Sequence, residues 1–516
     1  MMHLSTIFLV LPFSLLCHAL TPSSPKVDLG YATHVPTYVN TTKSGTKPPT
    51  GDRRFRKPLT PPPHEPGVLD GRKHLFKSDC VSSAPKEVPF PELNGTTWGQ
   101  EDCLFLNVLV PEGVRPGTDR VPVVHWLYGS AYAFGSKDIL VDGIELMERI
   151  ESPSDRFIHV TSNYRMGLYG WSSAEGEDMD SNVGLHDGVA ALEWTKKYIE
   201  HFGGDPDNIT AMGQSAGATI VALMLVANGG HGELPFQKAF VSSLAMLPRR
   251  EVTSRRASVF KEVLQATKCK SVECLRDVPA RALVAANKHL LTEVFSGSGG
   301  ATFGPGIGFG PIPDGEYIPD ALTVLFSLRR VNPRVKAVVV GNTADEGLGT
   351  TPDITNFAEF AELVRRAIPD ASKETVQRIR TLYPQPDSKI QDVANDWTTD
   401  VVQGCNAQGL AKAYASKAQR YVFSVPPATH SLDLNYIFFV DNETTPVEDI
   451  SLAKNIQDRT LDFFHGRNNG EWPFYGNKST IVNVAAKGFQ KQVDPWAKKP
   501  NCQTILKIIM DSKNGA

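Results

Sequence analysis

From residue 104 onward the chain repeats one hydropathy pattern: a short apolar run, a turn, then a stretch with helical spacing. Leu104 to Val110, Pro122 to Leu127, Phe157 to Ser162, Phe236 to Ser242 and Val335 to Val340 are such runs. Lacking a regular polar alternation, they predict strands buried on both faces. The same reading puts a strand over Leu434 to Val440. Ala190 to His201 and Arg255 to Gln265 read as helices, the first closed by the breakers Phe202-Gly203-Gly204-Asp205-Pro206. Buried strands alternating with helices predict an α/β fold, a mostly parallel sheet wrapped on both sides. Phe357 to Leu382 and Val393 to Ala418 are helical in pattern and predict a cap inserted over roughly residues 350–425 of one domain spanning 20–516.

The N-terminus breaks this pattern. His3 precedes an apolar run from Leu4 to Leu16, and Cys17-His18-Ala19 offers a small residue for cleavage, so residues 1–19 resemble a signal peptide that lacks a basic start. Residues 20–66, rich in Pro, Thr, Lys and Gly, predict a loosely strapped segment with short edge strands. No other run is long and apolar enough to span a bilayer, and the C-terminal residues carry no anchor signal. The expectation is a secreted, extracellular protein without a stable membrane anchor.

Composition narrows the partners. A net charge of −3 suggests neither nucleic acid nor an acidic membrane surface, and 41% hydrophobic with 21% charged residues is ordinary for a globular chain. Of seven cysteines, Cys17 would leave with the leader. The remaining Cys80, Cys103, Cys269, Cys274, Cys405 and Cys502 are an even set, which in an exported chain favours disulfides while leaving their pairing open. Asn40, Asn94, Asn208, Asn442 and Asn477 head Asn-x-Ser/Thr sequons and are candidate glycosylation sites, Asn208 being near the next motif in sequence.

That motif is Gly213-Gln214-Ser215-Ala216-Gly217, set between the run Ile209 to Met212 and an alanine-rich helical pattern from Ala218 to Ala227. A serine between glycines at a strand-to-helix turn is the layout of a nucleophile elbow, which lifts the hydroxyl above the sheet over a helix N-terminus. A serine hydroxyl is a weak nucleophile at neutral pH, so it needs a base and the base an orienting acid, in this layout in the order Ser, Asp/Glu, His.

Several blocks together resemble the type-B carboxylesterase/lipase family, the cholinesterase-like α/β-hydrolases, in particular secreted fungal-type members. Glu101-Asp102-Cys103-Leu104-Phe105-Leu106-Asn107-Val108 is similar to the family's second signature. Asn163-Tyr164-Arg165, Asn182-Val183-Gly184-Leu185-His186-Asp187 and Phe202 to Pro206 precede the elbow in the family's order. The resemblance implies the α/β-hydrolase fold, no cofactor or metal, and a small-molecule ester as substrate. It implies Ser215 as nucleophile, His430 in Ala428-Thr429-His430-Ser431-Leu432-Asp433 as base, and Glu346 in Gly341-Asn342-Thr343-Ala344-Asp345-Glu346-Gly347 as acid, with the neighbouring Asp345 as the alternative.

It further implies an oxyanion hole from the main-chain N–H groups of Ser130, Ala131 and Ala216. Here the chain departs from the family, with Tyr128-Gly129-Ser130-Ala131-Tyr132 where His-Gly-Gly-Gly-Phe is usual. Side chains replace glycines that tolerate φ > 0, which bears on the loop's geometry. The resemblance pairs Arg54 with Glu101 and Arg165 with Asp187, joins Cys80–Cys103 and Cys269–Cys274, and leaves Cys405–Cys502. It puts Ser243 near the triad and Phe309 to Gly315 along the acyl side of the pocket.

Gln214 stands where cholinesterases have Glu, and the Cys80–Cys103 loop places Trp98 off the choline-binding position. With carboxylate and aromatic face both missing, no site for a quaternary ammonium is expected. That loop is also less apolar than a lipase lid. Hydrolysis of neutral carboxylic esters is the leading reading. A lactonase or acyl transferase acting on a secondary metabolite would use the same residues, and a non-catalytic, neuroligin-like adhesion module would share the fold.

Overall fold

Ten strands join in one mixed sheet. In chain order they are β1 (Asn40–Lys43), β2 (Phe105–Leu109), β3 (Val121–Leu127), β4 (Ile158–Ser162), β5 (Gly204–Gln214), β6 (Lys238–Ser242), β7 (Ala337–Thr343), β8 (Ala418–Phe423), β9 (Thr480–Ala485) and β10 (Gly488–Val493). Across the sheet the order is β10-β9-β8-β7-β6-β5-β3-β4-β2-β1. Every pair from β9 to β4 is parallel; β10 with β9, β4 with β2 and β2 with β1 are antiparallel. This computed structural model describes residues 27–35, 40–43, 48–60, 68–70, 78–86, 91–139, 141, 143–250, 252–295, 308–468 and 470–514. The leader-like residues 1–19 lie outside them.

The unbroken apolar runs are explained by a core on each face of the sheet, since successive side chains point to opposite sides. Val123 and Leu127 of β3, Ile209 and Ala211 of β5, and Val338 and Val340 of β7 enter one core. Val124 and Trp126, Met212, and Val339 from the same strands enter the other. The first core holds α1 (Val183–Tyr198) and α2 (Ala216–Val226), the latter buried on all sides. The second is covered by α3 (Leu432–Ile437) and α4 (Ile450–His465).

Several expectations change. Leu434 to Val440 is not a strand: α3 occupies its start, and Phe438 and Phe439 pack with residues of α4. A short, mostly apolar run does not separate a buried helix from a buried strand, and the place beside β8 is taken by β9. The helix expected from Ala190 begins at Val183 and ends at Tyr198 in a 3₁₀ turn, Ile199–Phe202. Helices Phe357–Ala367, Lys373–Arg380, Ile390–Thr398 and Cys405–Tyr414 occupy the stretch expected to be helical. The sheet resumes before residue 425, at Ala418. Strand β8 escapes a hydropathy reading because it contains Arg420, whose charge is matched by Asp494 at 2.8 Å with neither side chain exposed.

Three disulfides lock loops and termini: Cys80–Cys103, Cys269–Cys274 and Cys405–Cys502. The last ties Cys405–Tyr414 to the C-terminal helix Asn501–Ile509. Among the described residues no helix is long and apolar enough to cross a membrane.

Candidate active site

Strand β5 ends at Gln214 and α2 starts at Ala216, so the chain must reverse within one residue. Ser215 takes φ 55°, ψ −120° to do it. For a residue with a side chain such a conformation is strained, by about 1–3 kcal/mol. Close approach explains the flanking glycines. A Cβ on Gly213 would stand 2.6 Å from the carbonyl carbon of Gly217, and one on Gly217 would collide with the Leu127 carbonyl at the end of β3. The Ser215 N–H donates to the Ser242 carbonyl of β6 at 3.0 Å, which pins the turn to the sheet.

Two further loops, from the ends of β7 and β8, deliver partners to this serine. His430 Nε2 lies 3.0 Å from Ser215 Oγ, and its Nδ1 lies 2.5 Å from Glu346 Oε2. The carboxylate fixes the tautomer: Nδ1 carries the proton and donates to Glu346, leaving the Nε2 lone pair facing the serine hydroxyl. Glu346 is fully buried, and its other oxygen accepts the Thr343 N–H at 2.8 Å. Asp345, the sequence alternative, is exposed. The two loops are joined where Asp345 N–H donates to the Ala428 carbonyl at 3.0 Å. Burial pulls the His430 pKa down, but the charge and hydrogen bond of Glu346, with the charge of Asp433, outweigh it and hold the imidazole above its ordinary value.

Beside the serine runs the loop that closes β3. Ser130, Ala131 and Tyr132 take φ 75°, 55° and 63° in succession, so the side chains that replace glycine do adopt the left-handed backbone. The neighbours hold it there. Tyr164 stacks on Tyr128 with ring centroids 4.5 Å apart, and its hydroxyl reaches the carbonyls of Tyr128 and Gly129 at 2.7 and 3.2 Å. The Tyr132 carbonyl accepts the Gly167 N–H at 2.7 Å. A Cβ on Gly129 would stand 3.0 Å from Ser215 Cβ, so the loop lies directly against the elbow. Among the described residues neither the Ser130 nor the Ala131 N–H has a main-chain acceptor. Ala216 is the first residue of α2, where N–H groups have no partner within the helix.

Some contacts around this cluster are not evident from sequence. Asp433 Oδ2 accepts from Ser242 Oγ and from the Tyr421 hydroxyl, each at 2.6 Å, while its Oδ1 is buried without a partner. Burial pushes the Asp433 carboxyl up. Ser243, expected near the triad, directly follows the Ser242 carbonyl that accepts the Ser215 N–H; its hydroxyl is buried with no partner, and Ser242 makes the contact to Asp433. The strand ends at Ser242 and Ser243 leaves it at φ 51°, a distinction the Ser242-Ser243 pair does not display in sequence. Gln214 Nε2 donates to Ser431 Oγ at 2.8 Å and lies 3.3 Å from His430 Nε2.

The outer pairs also form. Arg54 bonds Glu101 at 2.8 and 3.0 Å, and Arg165 bonds Asp187 at 2.7 Å through two nitrogens, all nearly inaccessible. Arg54 additionally reaches the carbonyls of Leu275, Arg276 and Val278, so it ties the N-terminal strap to the Cys269–Cys274 region. Trp98 donates to Asp79 at 3.2 Å and meets Phe134 edge-on. Phe309 is buried against Phe295. Asn94, Asn442 and Asn477 are exposed. Asn208 is partly buried at the start of β5, about 20 Å along the strand from the elbow. Asn40 is in β1, its side chain outside the description.

A parallel-cored sheet with a serine, a histidine and a glutamate converging above its strand ends has the layout of an α/β-hydrolase. The comparisons agree. A model described as "Carboxylesterase family" matches residues 46–508, and the chain belongs to the carboxylesterase family. It is 28% identical to carboxylesterase patB of Aspergillus clavatus over 91% of this chain and 93% of that one. It is 31% identical to lipase 2 of Geotrichum candidum over 66% of this chain and 65% of that one. The crystal structure of Aspergillus niger EstA superposes with a TM-score of 0.78 at 23% identity, covering 96% of this chain and 99% of that one, and so matches the fold.

Proposed function

We propose that the protein is a secreted serine carboxylic-ester hydrolase working through an acyl-enzyme. Ser215 Oγ attacks the acyl carbon of a neutral ester while His430 Nε2 takes its proton. The N–H groups of Ser130, Ala131 and Ala216 stabilise the oxyanion, each contributing about 3 kcal/mol to the transition state. The new imidazolium is held by Glu346 and protonates the leaving alcohol. Water, deprotonated by His430, then releases the acid and restores Ser215. The observation that carries this reading is the hydrogen-bonded line from Ser215 through His430 to Glu346.

The three disulfides support an oxidising compartment, and with it export through residues 1–19 and glycans on the exposed Asn94, Asn442 and Asn477. Residues 20–516 form one domain, with the helices from Phe357 to Tyr414 as an insertion.

The test is hydrolysis of a chain-length series of p-nitrophenyl esters by wild type and by Ser215→Ala. Wild type is expected to turn over and the variant to lose at least about a thousandfold. Equal inactivity of both on every ester would remove the enzyme reading in favour of a binding module. Turnover confined to cyclic esters, or acyl transfer to an added alcohol in place of hydrolysis, would select the lactonase or transferase form of the same chemistry.

A further inference from the structure

The residue before the nucleophile is built into the base as well. Gln214 is 4% exposed and carries no charge. One side of its amide meets the oxyanion loop: a Cβ on Gly129 would stand 2.9 Å from its Oε1. On the other side Nε2 donates to Ser431 Oγ at 2.8 Å and lies 3.3 Å from His430 Nε2. Ser431 sits at φ 74°, immediately after the base, in a backbone region that a residue with a side chain enters only when something holds it there.

We infer that Gln214 is a positioning residue for His430: its amide braces the left-handed turn at Ser431 and presents an N–H to the same Nε2 that faces Ser215. This inference rests on the serine-esterase reading above.

The amide has two N–H groups, one for Ser431 Oγ and one for the imidazole. In the resting state His430 Nε2 is unprotonated, so it accepts from Ser215 Oγ at the shorter distance and from Gln214 at the longer. Once Nε2 takes the serine proton it becomes a donor, and the Gln214 N–H opposes it. The amide therefore favours the neutral base, the form that must be present before attack. A carboxylate here would do the reverse, by attracting the imidazolium.

The charged groups acting on His430 are Glu346, from the loop after β7, and Asp433, from α3. Asp433 is itself bonded to the Tyr421 phenol and to Ser242. The elbow residues and the loop from Tyr128 to Tyr132 bring no charge. Gln214 thus keeps a third carboxylate away from the base.

The experiment compares wild type, Gln214→Glu, Gln214→Ala and Ser431→Ala on p-nitrophenyl butyrate across pH, with kcat and KM resolved. Gln214→Glu fills the same space and tests charge alone. Its acid limb in kcat/KM is expected to move to higher pH by about one unit, as a new carboxylate near an imidazole requires. Gln214→Ala and Ser431→Ala are expected each to lower kcat about tenfold with little change in KM, and the double variant to lose no more than either single one. A role in folding alone would shift melting temperature and leave the acid limb in place. Superimposable pH profiles for wild type and Gln214→Glu, with additive losses for the alanine variants, overturn the inference. If wild type itself fails to exceed Ser215→Ala, the esterase reading has failed instead.

Discussion

Thr399 Oγ1 accepts the main-chain N–H of Gly347 at 2.8 Å, one residue beyond Glu346. Thr399 opens a π-helical turn, Thr399–Gly404, in the helical region, so that region grips the loop carrying the acid. A Cβ on Gly347 would collide with the Asn395 carbonyl, which shows how closely the two meet. The turn is anchored in its own right. Asp400 accepts from Trp496 Nε1, Asn501 Nδ2 and the Tyr383 hydroxyl at 2.8, 2.8 and 3.0 Å. Thr399→Val is expected to leave the Gly347 N–H unpaired, at about 1–3 kcal/mol. Activity should fall through kcat, with KM nearly unchanged. Thr399→Ser should restore both quantities, as urea unfolding and steady-state kinetics would record.

Glu346 holds His430 above its ordinary pKa, so wild-type activity should rise with pH through a value above about 6.5, where the imidazole becomes neutral. Glu346→Gln removes that charge. Its acid limb should move to lower pH while kcat drops about 10⁴-fold, through loss of the tautomer that faces the serine. A pH–rate profile for each protein decides the matter; an acid limb that moves upward in the variant would contradict the assignment.

The same shift carries a stability consequence. A group whose folded pKa is raised binds its proton more tightly in the native state. The stabilisation from His430 is therefore complete below its unfolded value, about 6.5, and disappears as pH rises through the folded value. Comparing wild type with His430→Gln, the gap in melting temperature should be wider at pH 5.5 than at pH 9. A gap independent of pH would mean that the histidine gains nothing from being charged.

At the oxyanion loop, Ser130→Gly and Ser130→Pro should separate cleanly. Glycine keeps the N–H and adopts φ 75° without strain, so kcat should stay close to wild type. Proline has no N–H and holds φ near −65°, so kcat should fall by about 10²-fold or more. Equal kcat for both would remove Ser130 from the oxyanion hole.

Arg420 and Asp494 test a buried ion pair of the sheet. Arg420 Nε donates to Asp494 Oδ2, the Tyr475 hydroxyl donates to the same oxygen at 3.0 Å, and the guanidinium lies over Trp496. Asp494→Ala leaves a buried cation unpaired, expected to cost about 3–5 kcal/mol. Replacing both, as Arg420→Met with Asp494→Leu, should recover most of that loss in denaturant unfolding.

The sequence by itself brought out the candidate residues and the alternation that makes an α/β sheet. Ser215, Glu346 and His430 stand in local motifs whose order carries meaning, and β3, β5 and β7 are apolar on both faces because both faces are buried. Tertiary structure decided what depends on neighbours far along the chain. Leu434 to Val440 became a short helix and a packed turn because β9 occupies the sheet position beside β8. Arg420 could lie in a buried strand because Asp494 waits 74 residues on. Ser242 rather than Ser243 reached Asp433 because the strand ends at Ser242 and the backbone turns left-handed at Ser243. The left-handed run from Ser130 to Tyr132 persists because Tyr164 holds the carbonyls of Tyr128 and Gly129 before it and Gly167 holds that of Tyr132 at its end. A hydropathy pattern reports how much of a residue is buried; which partner meets it there is settled only when distant segments pack.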